Sequence, residues 1–224
     1  MNSLDHDPVL RAALDRLHAE SSEQEQAMRA YLTAEGTGST VGTERQLLDG
    51  RAFWRDKLVA LDADKARFCY SLCRALNARR IVEAGTSFGV SALYLAAAIR
   101  DNGGGLVIGT EYEPSKVIAA RRRFSETGLS AYIDLREGDI RRTLQNIEGP
   151  IDFLLLDIWT PLVRPTLELV APRMRVGAVV IADNTAEYRQ EYGDFFSYLE
   201  KAANGFTTMT LPFDGGLEMS VKLS

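Results

Sequence analysis

The chain has 224 residues, 46% of them hydrophobic and 25% charged, and a formal charge of −5. That length holds one α/β domain with a helical extension, and an acidic chain without a concentrated basic face argues against a nucleic-acid partner. No apolar run approaches the ~20 residues of a membrane span. The polar start from Met1 to Asp7 has no signal-peptide pattern, so a cytoplasmic protein is expected.

Residues 1 to about 35 read as helix, with Val9, Leu10, Ala13, Leu14 and Leu17 on one face. Gly36-Thr-Gly-Ser-Thr-Val-Gly42 is a breaker segment. A second helical stretch is expected from Glu44 to about Leu61, and a third from Asp64 to Leu76 with Asp62 or Asp64 as N-cap. Cys69 and Cys73 lie on the apolar face of that third helix and read as core. A reducing compartment speaks against a disulfide between them. The remoteness of His6 and His18 from the glycine-rich turn speaks against structural zinc. Residues 1–78 are thus expected to form a helical extension whose amphipathic helices offer a face for pairing as a homodimer.

From residue 79 to 224 strand and helix alternate. Strands are predicted at 80–84, 106–111, 131–136, 152–157, 178–182, 206–211 and 217–223. Helices are predicted near 89–101, 114–127, 140–147, 162–171 and 188–203. The basic runs Arg121-Arg122-Arg123 and Arg141-Arg142 fall on these helices and read as solvated faces. Alternation with short links means a doubly wound, mostly parallel seven-stranded sheet of the Rossmann-like kind. The apolar runs Phe153–Leu156 and Ala178–Ala182 suit central strands. The last two strands read as a hairpin that adds an antiparallel strand.

The most informative stretch is Arg80-Ile-Val-Glu-Ala-Gly-Thr-Ser-Phe-Gly-Val-Ser91, followed by Glu111 at the end of the next strand. A buried strand ends in Glu83, turns through Gly85, Thr86, Ser87 and Gly89, and enters a helix near Val90. Glycines let backbone approach a ligand, and the helix N-terminus offers open N–H donors. Glu111 suits a ribose diol. A dinucleotide site would prefer G-x-G-x-x-G. Here the two glycines stand four apart, and Glu83 would repel a pyrophosphate but could face an ammonium. The implied ligand is a nucleoside with a cationic amino-acid tail, and S-adenosylmethionine fits.

Ligands in open α/β sheets bind beyond the carboxyl ends of the strands. Those ends carry Glu83, Glu111 to Glu113, Glu137 with Asp139, Asp157, and Asp183-Asn184. So many carboxylates on one rim call for a bound cation or several donors.

The series Glu83-Ala-Gly-Thr-Ser-Phe-Gly-Val-Ser91, Glu111-Tyr-Glu-Pro114, Asp157-Ile-Trp159 and Ala182-Asp-Asn184 resembles the S-adenosylmethionine-dependent O-methyltransferases of the catechol O-methyltransferase type. The resemblance covers about residues 80 to 223. It implies that Gly85 and Ser91 line the methionine end of the cofactor, Glu111 binds the ribose, Asp139 faces the adenine amino group and Trp159 packs beside the cofactor. It also implies that Asp157, Asp183 and Asn184 hold a divalent metal, magnesium or calcium, with Asp157 in a catalytic role. In the catechol enzymes the Trp is followed by a Lys that takes the substrate proton; here Thr160 stands there and cannot, and Tyr188 and Tyr192, just after Asn184, are expected to line the acceptor pocket. The implied activity is methyl transfer to an oxygen of a small-molecule acceptor, metal-assisted. A non-catalytic S-adenosylmethionine-binding regulator and an NAD-dependent oxidoreductase are the alternatives.

Overall fold

The computed structural model describes residues 4–34 and 52–224. The breaker segment and the first part of the expected second helix lie outside them. Helix α1 (Pro8–Ala34) and helix α2 (Ala63–Ala75) precede the sheet. Then come β1 (Arg80–Ala84), α3 (Val90–Asp101), β2 (Leu106–Glu111), α4 (Pro114–Glu126), β3 (Ile133–Glu137) and α5 (Ile140–Thr143). The chain closes with β4 (Ile151–Leu156), α6 (Thr160–Val170), β5 (Met174–Asp183), α7 (Gly193–Leu199), β6 (Phe206–Leu211) and β7 (Leu217–Lys222).

The sheet order is β3-β2-β1-β4-β5-β7-β6. All pairings from β3 to β5 are parallel, and β7 runs antiparallel to both β5 and β6. The doubly wound, mostly parallel sheet read from the sequence is therefore the observed fold. Every residue of β4 is buried, as an apolar strand covered on both faces requires. Helix α3 is buried from Val90 through Ile99 because it is apolar all round and lies between the sheet and the N-terminal helices.

The N-terminal segment joins the same core as one sheet face. Leu10, Leu14 and Leu17 of α1 pack there with Leu58, Leu61, Cys69 and Cys73. Arg100 at the end of α3 pairs with Asp7 at 2.7 Å, and His18 meets the Tyr94 hydroxyl at 3.1 Å. Both cysteines are free and buried, and burial pushes their thiols upward; they are inert core.

Four expectations shift, the first being that helix α5 ends at Thr143 rather than near 147. Helix was expected through Leu61, but only 52–54 are helical among the described residues of that stretch, and the chain is non-helical from 57 to 62. The Leu58 backbone there bonds α1 instead, donating to Gln24 Oε1 at 3.0 Å and accepting from Ser21 Oγ at 2.8 Å. Strand β5 starts at Met174 rather than near 178, because Met174 pairs with Ile151. Helix α7 starts at Gly193 rather than near 188, because the chain first passes through turns in which Ala186 and Glu187 donate to the Gly215 carbonyl.

The end of the sheet opposite the strand tips is pinned by Asp152. Its Oδ2 accepts the Arg79 and Arg80 amides at 2.8 and 2.9 Å, and its Oδ1 accepts Arg175 Nε at 2.6 Å. Burial raises this carboxyl's pKa, but the Arg175 and backbone donors outweigh it and hold it below the usual range. Asp152→Ala should leave two amides and a guanidinium short of an acceptor and cost about 2–4 kcal/mol. Urea denaturation checks this, and a loss under ~0.5 kcal/mol would remove Asp152 from that role.

Candidate active site

The turn after β1 is built by its neighbours. Gly85 has φ +91°, and a Cβ there would lie 2.0 Å from the Asp157 carbonyl oxygen at the tip of β4. Gly89 has φ +92°, and its Cβ would meet the Phe124 ring of α4 at 2.6 Å. Both glycines are thus required by close packing as well as by positive φ. Ser87 between them is left-handed at φ 49°, a strained state for a non-glycine residue. The turn is tied to β2: Thr86 N donates to Thr110 O at 2.9 Å and Ser87 N to Glu111 Oε2 at 2.8 Å. Glu111 Oε1 accepts the amides of Tyr112 and Glu113, both at 2.8 Å. Its carboxylate is thereby fixed beside the turn with one lone pair, on Oε2, to spare. Helix α3 starts from Gly89 with no side-chain cap, so its first N–H groups face the turn.

Beneath the turn lies Glu83, fully buried. Its Oε2 accepts the Thr86 hydroxyl at 2.5 Å, while Oε1, with Ser91 nearby, has no aligned hydrogen bond. Burial pushes this carboxyl up to about 7, against the lowering by Thr86 and Ser91. The buried Ser87 hydroxyl is also without a partner. Asp157 is pushed well above the carboxylate range by burial and by facing Asp183 and Glu83. An open carboxylate oxygen, an open hydroxyl and raised carboxyls in one pocket fit a ligand that carries positive charge.

At the tip of β5 the structure differs from a metal triad. Lys65, in the first turn of α2, reaches in with a side chain 1% exposed. Its Nζ stands 2.8 Å from Asp183 Oδ1, 3.0 Å from Asp62 Oδ2 and 3.4 Å from Asn184 Oδ1. Burial opposes its charge, but Asp183 and Asp62 prevail and hold its pKa above the ordinary lysine value. Asn184, left-handed at φ 56°, donates from Nδ2 to Asp183 Oδ2 at 2.9 Å. Among the described residues no three His, Cys, Asp or Glu side chains gather as a metal site. Sequence reasoning missed Lys65. The available signal was a lysine in a first helical turn, against the helix dipole, three residues after Asp62.

The other expected residues are placed as follows. Ser91 is buried at the start of α3. Asp139 caps α5, accepting Arg141 N at 2.9 Å and pairing with its guanidinium at 2.7 Å; that pair lowers its pKa. Trp159, just ahead of α6, packs edge-on against Trp54 with centroids 5.5 Å apart. Trp54, a second aromatic at this mouth, had no signal in sequence. Tyr192 does not line an open pocket: it is buried, and its hydroxyl donates to the Asp183 carbonyl at 2.7 Å. Tyr188 is half-buried, and burial pushes its phenol up to about 12.

Known proteins similar to this chain are methyltransferases. Residues 82–185 match the family model described as a methyltransferase domain. A catechol O-methyltransferase of Niastella koreensis is 25% identical over 130 residues, 56% of this chain and 58% of that protein. The chain thus spans a little over half the length of the curated relatives it matches. An O-methyltransferase of Bacillus cereus, solved in complex with SAH (S-adenosylhomocysteine), superposes with a TM-score of 0.68 at 21% identity, covering 88% of this chain and 97% of that one. TomG of Streptomyces achromogenes, an O-methyltransferase solved with SAM, superposes at 0.66 and 23% identity, covering 90% and 99%. These two likenesses show the fold.

Glu83 generates a prediction for the ligand-free protein. A carboxyl whose folded pKa lies above its unfolded value stabilises the fold fully below the unfolded value, near 4.5, and loses that contribution as pH rises through about 7. Ionised Glu83 therefore weakens the free protein at pH 8. Glu83→Gln should gain on wild type by about 2–3 kcal/mol between pH 5 and pH 8. Thermal melts at both pH values check it; an advantage that shrinks toward pH 8 contradicts it.

Proposed function

We propose, from the match of residues 82–185 to a methyltransferase-domain model, that the protein transfers a methyl group from S-adenosylmethionine to an oxygen of a small-molecule acceptor. The observation that carries this is the buried Glu83 with an open oxygen. It lies under the turn beside Glu111 and next to an uncapped helix start. Glu83 takes the ammonium of the cofactor tail, and Gly85, Thr86, Ser87, Gly89 and Ser91 surround that end. Glu111 takes the ribose hydroxyls. Asp139 borders the adenine end, with its carboxylate shared with α5. Trp159, buttressed by Trp54, covers the cofactor, and Asp157 lies beneath it. The cofactor's sulfonium supplies the electrophilic methyl; the chain's part is to hold the acceptor oxygen in line with it and exclude water.

The divalent metal implied by Asp157, Asp183 and Asn184 does not fit the residues there, because the Lys65 ammonium already faces two of the three, at Asp183 Oδ1 and Asn184 Oδ1. Acceptor deprotonation also has no support from a lysine at Thr160, and Tyr188 keeps its proton at neutral pH. The acceptor's own acidity then governs the rate. A small acceptor in the cytoplasm suits the acidic chain and its reduced cysteines. Pairing of two copies through α1 belongs to the same proposal.

Incubation with methyl-labelled S-adenosylmethionine and a panel of phenols and hydroxy acids tests the activity. Labelled methyl ethers or esters with equimolar S-adenosylhomocysteine are expected. Cofactor binding without turnover of any acceptor would favour the regulator. NAD binding would favour the oxidoreductase. Glu111→Ala should weaken S-adenosylhomocysteine binding by about one to two orders of magnitude, from the loss of a charge-assisted hydrogen bond to the ribose; calorimetric affinity unchanged from wild type would take Glu111 out of the site. Across a phenol series, rate should rise with pH through each acceptor's own pKa, whereas a single pKa common to all acceptors would reveal a base on the protein.

A further inference from the structure

We propose that Lys65 is the resident cation of the acceptor end of this site: its ammonium stands among Asp62, Asp183 and Asn184 in place of a divalent ion, and the protein handles its acceptor without metal. The word acceptor rests on the methyltransferase proposal; the replacement of a metal does not.

Three observations carry it. The first is distance. Nζ lies 2.8 and 3.0 Å from Asp183 and Asp62 oxygens as ion pairs and donates to Asn184 Oδ1 at 3.4 Å, so three oxygens surround the charge, with Asp183 Oδ1 held by charge rather than by an aligned N–H. A hard divalent ion needs such oxygens at ~2.0–2.6 Å and could reach them only by lying against the ammonium.

The second is the cost of the arrangement. Lysine is almost never fully buried unless paired, and Lys65 is 1% exposed. It sits in the first turn of α2, where the helix dipole disfavours a cation. Neither packing nor helix preference puts a lysine there; the carboxylates do.

The third is the mould around Asn184. Its left-handed backbone turns the amide so that Oδ1 faces Lys65 and Nδ2 is spent on Asp183. Gly215, between β6 and β7, closes over it, since a Cβ there would lie 2.5 Å from Asn184 Oδ1. The amide is therefore packed in the position that serves an ammonium.

Asp183 is 7% exposed and Asp62 56% exposed. Asp62 is thus the partner that can give way, leaving one N–H of Lys65 for an anionic acceptor oxygen. With one N–H released, Lys65 serves one acceptor oxygen, so an acceptor with a single ionised oxygen, a phenolate or a carboxylate, suffices.

Manganese serves as the probe, followed by electron paramagnetic resonance of free Mn²⁺ in titrations of the full chain. Wild type should show no saturable binding up to millimolar Mn²⁺. Lys65→Ala frees two carboxylates and an amide and should bind Mn²⁺ at least tenfold more tightly than wild type, with the gain lost in Lys65→Ala/Asp183→Asn. Lys65→Met, which keeps the length of the side chain, should gain likewise and serves where the alanine variant does not fold. Folding is scored by circular dichroism. Saturable Mn²⁺ binding by wild type that Asp183→Asn abolishes overturns the proposal, and so does a folded Lys65 variant that binds no better than wild type. Failure of wild type to bind S-adenosylhomocysteine would count against the methyltransferase proposal and leave the Mn²⁺ result standing.

Discussion

The ion pair between Lys65 and Asp183 lets the strand tips of this sheet carry as much acid as they do. Glu83, Asp157 and Asp183 end β1, β4 and β5, three neighbouring strands. Glu83 and Asp183 are buried outright. Ionised together in a low-dielectric pocket they would repel strongly. Lys65 answers Asp183 at 2.8 Å, and removing one partner of such a buried pair typically costs ~3–5 kcal/mol. Burial, first of all, raises the carboxyls of Glu83 and Asp157, and the charges of Glu111 on Glu83 and of Asp183 and Glu83 on Asp157 add to it. Stability is given up there, as is common where a pocket is shaped for a charged ligand.

That constraint reaches outward into the fold. Lys65 arrives on α2, so α2 must be docked with its first turn over the tip of β5. The docking comes from Cys69, Cys73 and the leucines of α1, which share a core with α3 and the sheet. On the opposite side, the glycine turn is clamped between Glu111 and the Asp157 carbonyl. The N-terminal helices therefore complete the electrostatics of the site as well as covering a sheet face.

Most of the sheet was legible in the sequence because its signals are local. Apolar runs bounded by Gly, Asp or Pro place β1, β2 and β4 within a residue of their observed ends. Glu83, Gly85, Gly89 and Glu111 were legible because a strand, a tight turn and a helix leave few places for those residue types. What escaped depends on distant contacts. Residues 57–62 have helix-compatible composition, but their backbone is captured by Ser21 and Gln24 of α1. Lys65 reads as the solvated face of an amphipathic helix until Asp183, 118 positions later, is brought beside it. Tyr192 looked like a pocket residue by proximity to Asn184, yet the turns before α7 fold it back onto the Asp183 carbonyl.

If cationic charge is what the buried rim awaits, binding of a cationic ligand must expel a proton. Calorimetric titration of S-adenosylhomocysteine near pH 6.5, repeated in buffers of different ionisation enthalpy, counts protons exchanged on binding. A carboxyl at about 7 in the free protein ionises when an ammonium docks against it, so release of about half a proton or more per site is predicted. Binding with no proton exchanged, or with net uptake, would contradict the assignment of Glu83 and its neighbours as the seat of the cofactor's positive charge.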